Sequence, residues 1–160
     1  MQFDDKLVIP LREAQSIVFF TGAGASTESG VPTFRDSKNS FWVDFDVKTY
    51  ATTSGFSANP ARVWQWYAER CQQLQIVAPN PAHRVIAAWQ AKAHSVSVVT
   101  QNIDGLHQRA GSKKVIELHG NLATYKCFDY GHPAEHQVRS SNELPPHCKF
   151  CGSLLRPDIV

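Results

Sequence analysis

Residues 16–35 read Ser-Ile-Val-Phe-Phe-Thr-Gly-Ala-Gly-Ala-Ser-Thr-Glu-Ser-Gly-Val-Pro-Thr-Phe-Arg. The stretch opens as a short, nearly all-apolar run, residues 16–21, and breaks at once into Gly22-Ala23-Gly24-Ala25-Ser26. Such runs suit the strands of a parallel sheet, which are covered on both faces. Glycine after the strand lets the backbone pass close to a bound phosphate, and amides aimed into the turn hold anionic oxygens. A dinucleotide fingerprint would place its third glycine at position 27, where Thr27 stands. On these residues alone, a phosphate cradle and a plain strand-to-helix turn fit equally well.

The same pattern recurs twice downstream. Residues 96–100 run apolar into Gln101-Asn102-Ile103-Asp104-Gly105, and residues 115–118 run into His119-Gly120. Ligands of open α/β sheets bind at the carboxyl ends of strands, so three polar or glycine-rich strand ends point to one shared site. Two helices are expected between the first two strands. Asn59-Pro60 offers a cap and a first-turn proline, followed by Val63, Tyr67, Arg70, Cys71 and Leu74 at helical spacing. Asn80-Pro81 repeats the signal ahead of Ala82, Val85, Ile86 and Trp89. From 121 to 153 the texture turns polar, with several His and Pro, as in a module ordered by something other than a core.

Composition bounds the function classes. With 160 residues, 42% hydrophobic and 19% charged, the chain suits one globular core with a small appendage. The net charge is +2 and Lys113-Lys114 is the only adjacent lysine pair, so no basic stripe for nucleic acid is present. The longest apolar stretch, residues 17–20, is far too short to span a bilayer, and residues 1–12 do not read as a secretory signal. A cytoplasmic protein is expected, in which the four cysteines serve as ligands or free thiols rather than disulfides. Cys71 stands alone on a helix as a packed apolar residue. Cys148-Lys149-Phe150-Cys151-Gly152 forms a compact knuckle suited to Zn²⁺, and Cys127 would supply a third thiolate.

Three motifs, in order, resemble the signatures of the sirtuin family: residues 22–35, residues 100–107 (Thr-Gln-Asn-Ile-Asp-Gly-Leu-His) and Glu117-Leu118-His119-Gly120. The resemblance spans essentially the whole chain. It implies an NAD-dependent enzyme that transfers acyl groups from protein lysines to ADP-ribose, releasing nicotinamide and O-acyl-ADP-ribose. His119 matches the catalytic base, a role that suits an imidazole titrating near neutral pH. Gly22, Ala23, Gly24, Ser26 and Thr33 match the NAD-binding segment. Gln101, Asn102 and Asp104 match contacts to the ribose and nicotinamide, and Phe34 and Arg35 match a segment that closes over NAD. Tyr67 and Arg70 match the Tyr-x-x-Arg pair of the class III subclass that accepts acidic acyl chains, which implies desuccinylation or demalonylation alongside deacetylation. Arg binds a carboxylate through two parallel bonds, and a charge-assisted bond contributes about 1.5–3 kcal/mol.

The resemblance implies structural zinc, yet the fourth cysteine of the family pattern would fall at Tyr130. His132, His136 or His147 could complete the set, or the module could bind zinc poorly. The expected fold is α/β: a Rossmann-like NAD-binding region over 1–120, a zinc module over 121–153, and a return to the sheet over 154–160. The family's Gly-Thr-Ser motif and Asn-rich strand end do not occur in the chain, so an incomplete sheet is expected. A binding-only fragment, or an NAD hydrolase or ADP-ribosyltransferase, are the alternatives; acyl-lysine proteins are the expected partners.

Overall fold

The computed structural model describes residues 4–33, 42, 45–92, 95–133 and 145–160. Phe34, Arg35 and His136 lie outside the described residues. The three apolar runs are strands β1 (Ile17–Thr21), β2 (Val96–Thr100) and β3 (Val115–Glu117), parallel and ordered β1-β2-β3. Thr21 pairs with Thr100 and Thr100 with Glu117, so all three chains leave the sheet along one edge. The ladder extends one step further through Gln101 N–H to the Thr21 carbonyl (3.0 Å) and Leu118 N–H to the Thr100 carbonyl (2.9 Å).

One face of the sheet is open, which differs from the expectation of cover on both faces. Side chains alternate along a strand. Phe19 points inward and meets Trp89 edge-on at 5.9 Å. Val18, Phe20 and Ile116 point the other way and are 57%, 65% and 57% exposed.

Helix α1 (Asp5–Glu13), capped by the Asp4 side chain on Lys6 N–H, buries no residue. After β1 the chain forms a 3-10 helix, Ala23–Ser29, that ends on Gly30. Short helices α2 (Val47–Tyr50) and α3 (Thr53–Ala58) lead to α4 (Pro60–Gln75), which starts as its sequence predicts: the Asn59 side chain accepts from Arg62 N–H and Pro60 sits in the first turn. Helix α5 (Pro81–Lys92) follows, and its buried face differs from the expected stripe. Val85 is 55% exposed, whereas His83 is fully buried. The buried Asn80 side chain accepts from His83 N–H (3.3 Å), which fixes this phase of the helix. There His83 meets His107 of α6 (Leu106–Arg109) at 4.7 Å between ring centroids.

Strands β4 (Gly120–Cys127) and β5 (Leu155–Ile159) form an antiparallel pair with a bulge between Asn121 and Tyr125. Leu122, Cys127, Cys148 and Leu155 share one core with Phe56, Trp64 and Tyr67. Trp64 stacks on Tyr125 at 4.7 Å and donates its indole N–H to the Leu155 carbonyl at 2.6 Å. Full burial of side chains of this size contributes about 1.5–3 kcal/mol each. Gly120 has φ 81, and a Cβ there would run into the Asp158 carbonyl oxygen, so only glycine fits at the start of β4. Among the described residues, no helix is long and apolar enough to cross a membrane.

Candidate functional site

The three strand ends border one cleft of about 170 Å³. Ala23 and Ser26 reach it from the first turn, Gln101, Asn102 and Asp104 from the second, and His119 from the third. Its apolar wall includes Val31, Trp42 and Leu122. Gly22, Gly24 and Thr33 are not part of the cleft lining. A Cβ on Gly24 would meet nothing within 4 Å among the described residues. The packing of the turn itself therefore does not require glycine there.

His119 is exposed, and its Nδ1 lies 3.0 Å from the Gln101 carbonyl oxygen. A carbonyl only accepts, so Nδ1 carries the proton and donates, and Nε2 carries the lone pair. The tautomer suited to a general base is thus set by backbone. Val160 N–H holds the His119 carbonyl at 3.1 Å.

Beneath the cleft floor runs a polar chain. Ser26 is fully buried and donates to Asp104 Oδ2 at 2.7 Å, while Asp104 Oδ1 accepts from Leu106 N–H at 2.9 Å. Asn102 Nδ2 donates to Ser26 Oγ (3.1 Å) and to the Gly22 carbonyl (3.0 Å), and its own N–H donates to Thr100 Oγ1 (3.0 Å). Thr21 Oγ1 donates to Thr100 Oγ1 (2.9 Å), so His107 Nε2, also 2.9 Å from Thr21 Oγ1, is the donor in that contact. This leaves His107 Nδ1 and His83 Nε2 buried without a partner among the described residues. Burial lowers the pKa of both rings; for His107 the neighbouring His83 adds to the effect, and Asp104 opposes it in each. Both are therefore neutral at pH 7.

The sequence reading took Asn80 as a helix cap, which its bond from His83 N–H bears out, but missed the rest of this lower layer: Thr21, His83 and Thr100. A polar residue on the inward face of a helix carries no periodic signal of its own. Three residues of separation after a capping Asn was the only cue to His83. Trp42, whose indole N–H donates to the Pro32 carbonyl at 2.8 Å, was also missed because no periodicity surrounds it.

Tyr67 lines the cleft and donates to the Tyr50 carbonyl at 3.2 Å. Burial pushes its hydroxyl up to about 12, with the charge of Arg156 pulling the other way. Arg70 is not in the cleft lining. Its guanidinium lies 3.9 Å from the Trp66 ring centroid, and Nη1 donates to Glu69 Oε2 (3.0 Å) and the Trp66 carbonyl (3.2 Å).

A second cluster gathers Cys127, His132, Cys148 and Cys151, whose ligand atoms all lie within 4.8 Å of one another. All cysteines are free thiols. Burial works against ionisation of Cys127, but the Tyr130 N–H and the neighbouring thiols outweigh it and bring the thiol down to about 6. Cys148 is lowered too: the Phe150 N–H and the His132 ring outweigh its burial. At Cys151 the Ser153 N–H favours the thiolate, but burial and the Cys127 and Cys148 thiols outweigh it and push the thiol up to about 11. Three sulfurs and an imidazole held this close fit Zn²⁺. Cys71, by contrast, donates to the Leu122 carbonyl at 3.1 Å and packs against the core.

A cleft at the carboxyl edge of a parallel sheet is where Rossmann-like proteins take nucleotides, and this chain is of that class. The Sir2 family model matches residues 22–160, and the chain belongs to that family. It is 45% identical over 150 residues to an NAD-dependent protein deacylase of Aeropyrum pernix, covering 94% of this chain and 60% of the relative. It is 44% identical over 168 residues to one of Methylococcus capsulatus, covering 100% of this chain and 66% of the relative. A solved Sir2 homologue in complex with NAD superposes with a TM-score of 0.85 at 38% identity, over 99% of this chain and 62% of that one. The chain thus spans roughly three fifths to two thirds of the length of its relatives.

Proposed function

We propose that the protein removes acyl groups from protein lysines at the expense of NAD, yielding nicotinamide, O-acyl-ADP-ribose and free lysine. The observation that carries this reading is His119 at the cleft mouth, with Nδ1 on the Gln101 carbonyl and Nε2 left to accept a ribose hydroxyl proton. Gln101, Asn102 and Asp104 hold the nicotinamide and ribose from the floor, and the glycine turn at Gly22, Ala23 and Gly24 receives the phosphates. Phe34 and Arg35 close over the dinucleotide. The acyl-lysine partner enters along the apolar wall, whose aromatic side chains exclude water from the reacting ribose. Zinc in the cysteine module is structural. The work divides between an NAD-binding region over 1–120 and the metal module over 121–153, with 154–160 returning to the sheet. Four free thiols, three of them gathered in the metal cluster, favour a cytoplasmic location.

The acyl preference extends to succinyl and malonyl chains. Tyr67 already faces the cleft, and Arg70 follows it on the inward face of α4. To read an acyl carboxylate, the guanidinium must leave the Trp66 face and exchange Glu69 for the substrate. Arg70→Met should then lower desuccinylation by about ten- to a hundredfold and leave deacetylation within about twofold.

Mass spectrometry of matched acetyl-lysine and succinyl-lysine peptides, with and without NAD, tests both statements. NAD-dependent loss of the acyl group with O-acyl-ADP-ribose as co-product is the expected result. Free ADP-ribose with intact peptide would instead mark an NAD hydrolase. Binding of NAD or peptide without turnover would mark a binding protein.

A further inference from the structure

We propose that the zinc of the cysteine module is held by three sulfurs and one nitrogen, with His132 Nδ1 as the fourth ligand, and that Tyr130 braces its imidazole. The assignment concerns the metal module alone and stands whether or not the cleft deacylates lysine.

Two matching knuckles build the site. In the second, Gly152 N–H bonds back to the Cys148 carbonyl at 2.8 Å and Gly152 takes φ 75, which brings Cys151 beside Cys148. In the first, Gly131 N–H bonds back to the Cys127 carbonyl at 3.0 Å and Gly131 takes φ 66. The position equivalent to Cys151 is here Tyr130, which donates only its backbone N–H to Cys127 Sγ, at 3.5 Å. Two residues later the chain folds back: Cys127 N–H donates to the His132 carbonyl at 2.9 Å. That bond fixes His132 over the first knuckle, and its ring reaches the sulfurs in place of a thiolate.

Two edges of the site have tetrahedral lengths, and all four ligand atoms lie within 4.8 Å of one another. Bond lengths near 2.3 Å for Zn–S and 2.05 Å for Zn–N imply edges of about 3.8 Å between sulfurs and about 3.6 Å between sulfur and nitrogen. Cys127 Sγ and Cys151 Sγ stand 3.5 Å apart, and Cys148 Sγ and His132 Nδ1 stand 3.6 Å apart. The ring is also held in orientation: Tyr130 stacks on it at 5.7 Å and Phe150 meets it edge-on at 5.5 Å. This gives a use to two aromatics that are 72% and 77% exposed. His147 is excluded by its own geometry, because its Nδ1 donates to the Gly152 carbonyl at 2.8 Å and the residue is not part of the cluster.

X-ray absorption at the zinc edge of the zinc-loaded full chain tests the assignment, with affinity measured by competition against a chromophoric chelator. Three sulfurs near 2.3 Å, one nitrogen near 2.05 Å and the outer-shell scattering of a single imidazole are expected. His132→Ala should abolish the imidazole scattering and weaken zinc more than the about 10–100-fold typical of losing an outer-shell partner. His132→Cys should give four sulfurs at near-native affinity, which separates loss of a ligand from loss of the fold. The assignment is overturned if imidazole scattering persists in His132→Ala or His132→Cys. It is equally overturned if His136→Ala or His147→Ala removes that scattering, or if the native chain shows no imidazole.

Discussion

At His119 the orienting partner is a backbone carbonyl, where many catalytic histidines have a carboxylate. A carbonyl selects the tautomer without adding a charge beside the ring, so the orientation of His119 depends on strand register rather than on a second ionisable side chain. His119→Ala should lower NAD-dependent deacylation by about 10²–10⁴-fold, while calorimetry shows NAD still bound. The place of His119 after an apolar run, and of Asn102 and Asp104 in the polar stretch after β2, was legible in the sequence, whereas their roles came only from the family resemblance. His83 and His107 were not, since nothing in a helix pattern distinguishes a buried histidine from a surface one. Their burial has a measurable consequence. Both pKa values lie below the unfolded value, chiefly through desolvation, so the unfolded chain takes up protons that the folded chain resists. Their contribution to stability is complete above pH about 6.5 and is lost as pH falls below it. Denaturation midpoints measured at pH 7.5 and 5.5 should drop for the native chain, and the drop should shrink in the His83→Asn, His107→Asn double variant.

The elements divide by how their order arises. Strands β1, β2 and β3 were visible as apolar runs and α4 as a capped helix, because each carries its own signal in local sequence. Strand β4 was hidden: Gly-Asn-Leu-Ala-Thr-Tyr-Lys-Cys has no clean alternation, and its bulge between Asn121 and Tyr125 breaks the period that a reading would seek. What pins β4 is its first residue. Gly120 must hold φ 81 with the Asp158 carbonyl against its α-carbon, and β4 pairs with β5 from there onward. Gly120→Ala should therefore cost more than about 2 kcal/mol, read as a fall in the denaturation midpoint at unchanged slope. It should also lower deacylation more than a change of equal stability made in α1, which buries nothing, because the displaced backbone is that of His119.

Across the whole molecule, the metal module shares its interior with helices α3 and α4. Sequence texture suggested a boundary near residue 121, since polar composition without periodicity reads as separate from a core. Yet Leu122, Cys127, Cys148 and Leu155 pack into the same cluster as Phe56, Trp64 and Leu74. Trp64 reports on both sides of that boundary, through its stack on Tyr125 and its bond to the Leu155 carbonyl. A metal that fixes Cys127 and Cys148 thus fixes two members of the common core, and binding free energy becomes folding free energy for the core they share with α3 and α4. Chelation should lower the thermal midpoint in one cooperative step, with tryptophan fluorescence and far-ultraviolet circular dichroism moving together. Two separated transitions, an early one in fluorescence and a later one in backbone signal, would mean that the module melts on its own and that the shared core contributes little to the sheet. The coincident outcome carries a corollary for the candidate site: β4 begins one residue after His119 and ends at Cys127, so loss of zinc would disorder the carbonyl and amide contacts that hold His119.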